Sequence, residues 1–290
     1  MLNGRLFIYQ KQKKLCAFES GKIDNPQVTV ILIGGLTDGF LTLPYAHSLS
    51  QMIEQKHKGS LVQILLSSSY SSFGLSSLEN DAAEINDLIL CLESQLNRKY
   101  VLIGHSTGCQ DVLTFLGKKY QTASSILGCI LQGGVSDREY FTWSNPNLLK
   151  YVDLAKDRID EGNYNQLMPQ DAELMPNCPI SAYRFHSLLA IGGDDDLFSS
   201  DLDITKQKLH FDTFVPLAVV LCEKDEYIPS HVSVSSLIER YKQFPSVHFT
   251  YLLKEADHSI TAKKCIDDFL EFFDGCMGHF LELTNQSTTR

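Results

Sequence analysis

Tyr100-Val101-Leu102-Ile103-Gly104-His105-Ser106-Thr107-Gly108 is the stretch that decides the fold. Four apolar, strand-forming residues run into Gly-x-Ser-x-Gly, and Cys109, Val112, Leu113 and Leu116 follow at helical spacing. This order predicts a strand, a sharp turn carrying Ser106, and a helix, the arrangement of a nucleophile elbow. A side chain two residues to either side of such a serine would collide with neighbouring backbone, so glycine is required there. The turn lifts the hydroxyl out at the carboxyl end of the sheet and aims the positive end of the next helix at it. A Gly-x-Ser-x-Gly by itself arises by chance in about one chain in ten of this size, as a plain structural turn. The strand before it and the helix after it favour the functional reading.

Outward from the elbow, short β-rich runs alternate with helical patterns, which predicts a mostly parallel sheet covered by helices. Val28 to Ile33, Leu61 to Leu66, Ile126 to Leu131, Leu217 to Cys222 and Val247 to Leu253 read as further strands. Helices are expected at Leu43–Ile53, through Leu78 to Leu96, at Val234–Tyr241 and at Ala262–Phe273. The fold class is therefore α/β, of the α/β-hydrolase type, as a single domain over residues 1–290. Residues 136–212 break the rhythm, since a parallel crossover needs only about a dozen residues. They hold Pro146, Pro169, Pro176 and Pro179 and are read as an inserted cap, helical in part over Leu148 to Ile159.

A serine is a weak nucleophile and needs a base that is itself held by an acid. In this architecture the acid and the histidine follow the serine in that order, each on a loop after a later strand. Leu217–Cys222 leads into Asp225, and Val247–Leu253 leads into His258, so the expected catalytic set is Ser106, Asp225 and His258. Glu223 and Glu226 are alternatives for the acid, Asp257 is a weaker one, and His186 in the insertion is the rival base. Two N–H donors should bind the oxyanion. Thr107 at the helix start supplies one, and Leu36 in Gly34-Gly35-Leu36-Thr37-Asp38-Gly39 the other, with Thr37 behind it. Thr37, Tyr70 and His105, from segments expected to border the pocket, are the candidate substrate-binding residues.

Composition excludes several other classes. A net charge of −10 without a basic block argues against a nucleic-acid partner. No apolar stretch approaches the roughly 20 residues of a membrane span, and the amino terminus lacks a secretory run. A cytoplasmic protein with reduced thiols is expected, since of the eight cysteines Cys91, Cys109 and Cys265 fall inside helical patterns, Cys129 and Cys222 inside strand runs, and none forms a CxxC pair. Asp194-Asp195-Asp196 lacks EF-hand spacing and reads as a solvated or loop-capping acidic turn; no metal and no cofactor is expected. Oligomeric state is not legible.

The chain resembles a little-characterised group of α/β-hydrolases that includes fungal fusarinine-type siderophore esterases. The likeness rests on Gly34–Gly39, Leu66-Ser67-Ser68-Ser69-Tyr70, Gly104–Asp111 and Val135-Ser136-Asp137-Arg138-Glu139. It continues through Gly193–Asp196, Phe198–Leu202 and Lys224-Asp225-Glu226-Tyr227-Ile228-Pro229, spanning roughly Val28 to His258. It implies an esterase-type triad at Ser106, Asp225 and His258 without metal, and makes Gly193–Leu202 a structural feature of the group. The expected function is hydrolysis of a small-molecule carboxylic ester through an acyl-enzyme. A ligand-binding or interaction module with little turnover is the alternative, because a fold does not dictate a function. The resemblance does not fix the substrate.

Overall fold

The computed structural model describes residues 2–96 and 98–287. Eight strands form one sheet: β1 (Gly4–Gln10), β2 (Leu15–Gly21), β3 (Thr29–Ile33), β4 (Ser60–Ile64), β5 (Tyr100–His105), β6 (Ile126–Gln132), β7 (Leu217–Cys222) and β8 (Val247–Leu253). Their order across the sheet is β1-β2-β4-β3-β5-β6-β7-β8. The pairs β1–β2 and β2–β4 are antiparallel, and all others are parallel. Every residue of β3, β5, β6 and β7 is buried. That burial explains their unbroken apolar runs, because a central parallel strand is covered on both faces.

The first two helices are α1 (Ala46–His57) and α2 (Leu78–Glu93), and α3 (Gly108–Gly117) leaves the elbow. The excursion between β6 and β7 carries α4 (Asp137–Ser144), α5 (Lys150–Asp160), α6 (Ala182–Leu189) and α7 (Ile204–His210). Two helices, α8 (Val234–Tyr241) and α9 (Lys263–Ser287), complete the chain. One face of the sheet packs on α2, α3 and α8, through Ile85, Leu88, Val112, Phe115 and Leu237. The other packs on α1 and α9, through Leu49, Ile53, Phe269 and Phe273. Helices α4 to α6 build a third cluster of their own, with Phe141, Leu148, Ala155, Phe185 and Leu188 enclosing Phe73.

The N-terminal residues, to which the sequence reading assigned no strand, form the hairpin β1–β2, which extends the sheet. The reading of the acidic run needs amending. The acidic run is largely not solvated: Asp195 and Asp196 are 1% and 5% exposed. Asp195 accepts hydrogen bonds from Arg184 Nη1 at 2.5 Å and Ser187 Oγ at 2.6 Å. Asp196 accepts from the Gly192 N–H at 2.9 Å and lies 3.1 Å from Arg138 Nε. These acids tie the excursion to itself, with charge buried only because it is paired. Among the described residues, no cluster of His, Cys, Asp and Glu is placed to hold a metal, and no helix is long and apolar enough to cross a membrane.

The junction of β5 and α3 admits no side chain at its glycines. A Cβ on Gly104 would lie 2.4 Å from the Gly108 carbonyl oxygen, and one on Gly108 would lie 2.4 Å from that of Ile33. Both obstacles are backbone, so neither can rotate away. Gly104→Ala is expected to lower the unfolding free energy by about 2 kcal/mol, read as a fall in the denaturant midpoint. An unchanged midpoint would mean that the turn relaxes freely.

Candidate active site

Ser106 stands where β5 turns into α3, with φ +54°. A non-glycine residue rarely enters this left-handed region and does so where surrounding structure holds it. Its N–H donates to the Gln132 carbonyl at 3.0 Å, which fixes the turn on the end of β6. The loop after β3 presses against it: a Cβ on Gly35 would sit 2.5 Å from Ser106 Cβ and 3.1 Å from Oγ. The serine is half-buried, and its side chain borders a cavity of about 150 Å³ at the carboxyl ends of the strands.

His258 arrives on the loop after β8 and lines the same cavity. Its Nδ1–H donates to Asp225 Oδ2 at 2.8 Å. A carboxylate only accepts, so this bond fixes the proton on Nδ1 and leaves Nε2 free to take one. Asp225, on the loop after β7, is itself held by the Tyr227 N–H on Oδ1 at 3.0 Å. The alternatives are engaged elsewhere. Glu226 accepts the backbone N–H of His258 at 3.0 Å. Glu223 accepts from Lys254 Nζ at 2.6 Å and the Glu255 N–H at 3.1 Å. Asp257 caps the Thr261 N–H at 2.7 Å. His186 lies on α6 and is not among the residues lining the cavity.

Leu36 lines the cavity, and Thr107 leads into α3. Among the described residues, neither N–H has a hydrogen-bond acceptor within the protein. Thr37, at φ +68°, and His105 also line the cavity. Tyr70 does not; it packs over Gly39, and its phenol oxygen accepts the Phe40 N–H at 3.2 Å.

The two imidazoles are set apart electrostatically. His105 and His258 have ring centroids 4.8 Å apart. Burial and the neighbouring His258 charge push His105 down to about 4, so it stays neutral. Its Nδ1–H donates to Gln132 Oε1 at 2.6 Å, and Gln132 Nε2 donates to the His258 carbonyl at 3.0 Å. Burial, the largest single influence on His258, lowers its pKa. The Asp225 hydrogen bond and the charges of Asp225, Glu226 and Asp137 outweigh it, and the net shift is upward from 6.5.

Several lining residues have no signature in the sequence spacing: Asp137, Tyr140 and Phe141 of α4, Met175, and Tyr227. Burial, followed by the charge of Asp195, pushes the Asp137 carboxyl up to about 7. Tyr227 stands edge-on to His258 at 4.6 Å and to Tyr140 at 4.8 Å, linking the excursion to the imidazole. Gln132, a polar residue ending the apolar run of β6, is the one of these helpers that the sequence does flag.

Residues 2–274 match the family described as "Protein of unknown function (DUF1749)". The chain belongs to DUF1749. This DUF1749 chain is 29% identical over 262 residues to a UPF0613 protein of Schizosaccharomyces pombe, covering 81% of this chain and 82% of that one. It is 27% identical over 267 residues to the fusarinine C esterase sidJ of Aspergillus fumigatus, covering 74% and 75% respectively. Among solved structures, the siderophore hydrolase EstB from Aspergillus fumigatus superposes with a TM-score of 0.79 at 24% identity, covering 97% of this chain and 98% of that one. The fold of this DUF1749 chain is thus that of the α/β hydrolases.

In an NMR titration, His258 is expected to protonate with a midpoint above 6.5. Asp225→Asn should lower that midpoint, because it removes the charge that favours the imidazolium. A midpoint unmoved by Asp225→Asn would separate the two groups in solution.

Proposed function

We propose that this chain is a serine hydrolase that cleaves small-molecule carboxylic esters. The observation that carries the reading is the 2.8 Å bond from His258 to Asp225, with His258 and Ser106 bordering one cavity. In the proposed reaction the Ser106 hydroxyl attacks the ester carbonyl while His258 Nε2 takes its proton. The N–H groups of Leu36 and Thr107 receive the developing oxyanion. His258 then protonates the leaving alcohol, and water admitted to the same site releases the acid and regenerates the serine. Asp225 holds the imidazole in the required tautomer and stabilises its charged form.

Relatives named as esterases lend support to ester cleavage. On this reading residues 136–212 act as a cap on the single domain 1–290, since Tyr140, Phe141 and Met175 wall the cavity. The substrate reading for Thr37 and His105 draws on their place in that wall, and no cofactor is needed for the chemistry. Asp38 and Asp137 stand among the lining residues, which among the described residues include no lysine or arginine. Neutral esters are therefore expected to be turned over with a lower KM than matched esters bearing a carboxylate.

A fluorophosphonate is expected to label Ser106 covalently, and His258→Ala to abolish the labelling. Ser106→Ala and His258→Ala should each reduce ester turnover by about 10³-fold or more. An inert serine beside specific ligand binding would assign the cavity to a binding module instead. Because the base must be neutral, kcat/KM should fall as pH drops through the raised His258 pKa. A profile flat from about pH 5 to pH 8, with chemistry rate-limiting, would remove His258 from the mechanism.

A further inference from the structure

Behind the loop of Gly34, Gly35 and Leu36, on the side away from the catalytic cavity, lies a second, much smaller chamber. Its other walls are Ser68, Phe73, Thr107 of the elbow, Asp111 of α3, Asp81 of α2, and Arg184 of α6. About 10 Å³ of it is open to the centre of a water-sized sphere, at the lower limit of the roughly 10–15 Å³ that admits one water molecule. Two polar atoms facing this region have no hydrogen-bond partner within the protein: Thr107 Oγ1 and Asp111 Oδ1. Their residues are 5% and 3% exposed. A buried hydroxyl or carboxyl oxygen is rarely left dry, and a confined water with two to four polar neighbours is the usual remedy.

The charges around the chamber are unbalanced. Arg184 is 1% exposed; its Nη1 donates to Asp195 at 2.5 Å and its Nε to the Phe73 carbonyl at 3.1 Å. Its single positive charge acts on four carboxyls, those of Asp195, Asp81, Asp111 and Asp137. Burial, and then the charge of Asp81, hold the Asp111 carboxyl well above the usual carboxylate range, which favours its protonated, hydrogen-bond-donating form. Asp81 accepts from Ser76 Oγ at 3.0 Å, and it lines the chamber together with Ser68, Thr107, Asp111 and Arg184.

We propose that this chamber binds one ordered water, which joins the Thr107 hydroxyl to the Asp111 carboxyl beneath the Arg184 guanidinium. Asp111 and Arg184 are then positioning residues for the oxyanion-binding N–H groups of Leu36 and Thr107. The proposal rests on the hydrolase reading in its kinetic part only. Through Arg184, a residue of the β6–β7 excursion, it makes seating of α6 a condition for an ordered oxyanion site.

The test has a structural arm and a kinetic arm. A crystal structure that orders buried waters should place one within hydrogen-bond distance of both Thr107 Oγ1 and Asp111 Oδ1. An empty chamber would overturn the proposal, whatever the enzyme does. In the kinetic arm, kcat is normalised to the fraction of Ser106 that a fluorophosphonate titrates, so loss of folded protein does not count. Thr107→Val removes the hydroxyl and keeps the N–H; it should lower kcat about tenfold with KM within about twofold. Asp111→Leu should do the same, and Asp111→Asn, which keeps an oxygen and a donor, should restore most of the rate. Arg184→Lys should retain more activity than Arg184→Met, and the two small changes at Thr107 and Asp111 decide the matter if Arg184→Met does not fold. Normalised kcat equal to wild type in Thr107→Val and Asp111→Leu would make the cluster merely structural. If wild-type Ser106 takes no label, the hydrolase reading fails, and the water site stands or falls on the crystal structure.

Discussion

The left-handed backbone at Ser106 is the constraint on which the rest of the site depends. Holding a non-glycine residue there is costly, and three close approaches hold it: Gly104 against Gly108, Gly108 against Ile33, and Gly35 against the serine itself. The first two contacts tie β3, β5 and α3 together and the third presses the loop after β3 onto the serine, so the strain is borne at the centre of the sheet. The neighbouring strands then deliver their ends to the same place. Gln132 at the end of β6 receives the Ser106 N–H, and the loops after β7 and β8 bring Asp225 and His258.

Electrostatics divides the work between two histidines that stand side by side. His258 keeps company with Asp225, Glu226 and Asp137, and is tuned toward accepting a proton. His105 is buried, bonded to an amide, and disfavoured as a cation by the charge that His258 gains. Gln132 touches both, through opposite ends of one side chain, so the neutral ring braces the backbone of the titrating one. Around them the wall is acidic and aromatic, and it owes much of that character to α4 and Tyr227.

Much of this was legible in the sequence, and for physical reasons. Central parallel strands must be apolar throughout, so β3, β5, β6 and β7 announced themselves, and the glycines of the elbow marked the turn between β5 and α3. The order of Ser106, Asp225 and His258 along the chain followed from the strand succession. The edge hairpin β1–β2 was not foreseen, because Leu6-Phe7-Ile8-Tyr9 is a short apolar run without polar alternation, and its Leu6 and Ile8 are exposed. Helices α4, α6 and α7 were missed as well: each is only seven or eight residues long and lies in the excursion, outside the strand–helix alternation that marked the equally short α8. The burial of Asp195 could not be read from an acidic run, since its partner Arg184 is found only by folding. Tyr70 was expected beside the pocket and instead packs on Gly39, a displacement set by loop shape and not by composition.

The excursion of residues 133–216 leaves the sheet at β6 and returns at β7, which are hydrogen-bonded neighbours. The two strands are parallel, with Leu217 opposite Cys129 and Val220 opposite Gln132, so the excursion must run from the carboxyl end of one back to the amino end of the other, however long it is. Lengthening or trimming it moves neither Ser106, which precedes it, nor Asp225 and His258, which follow. Variation in the excursion's length therefore leaves the strand ends in place, and it reaches Ser106 and His258 only through the few residues that touch back, Arg184 behind the elbow and Asp137 beside the imidazole.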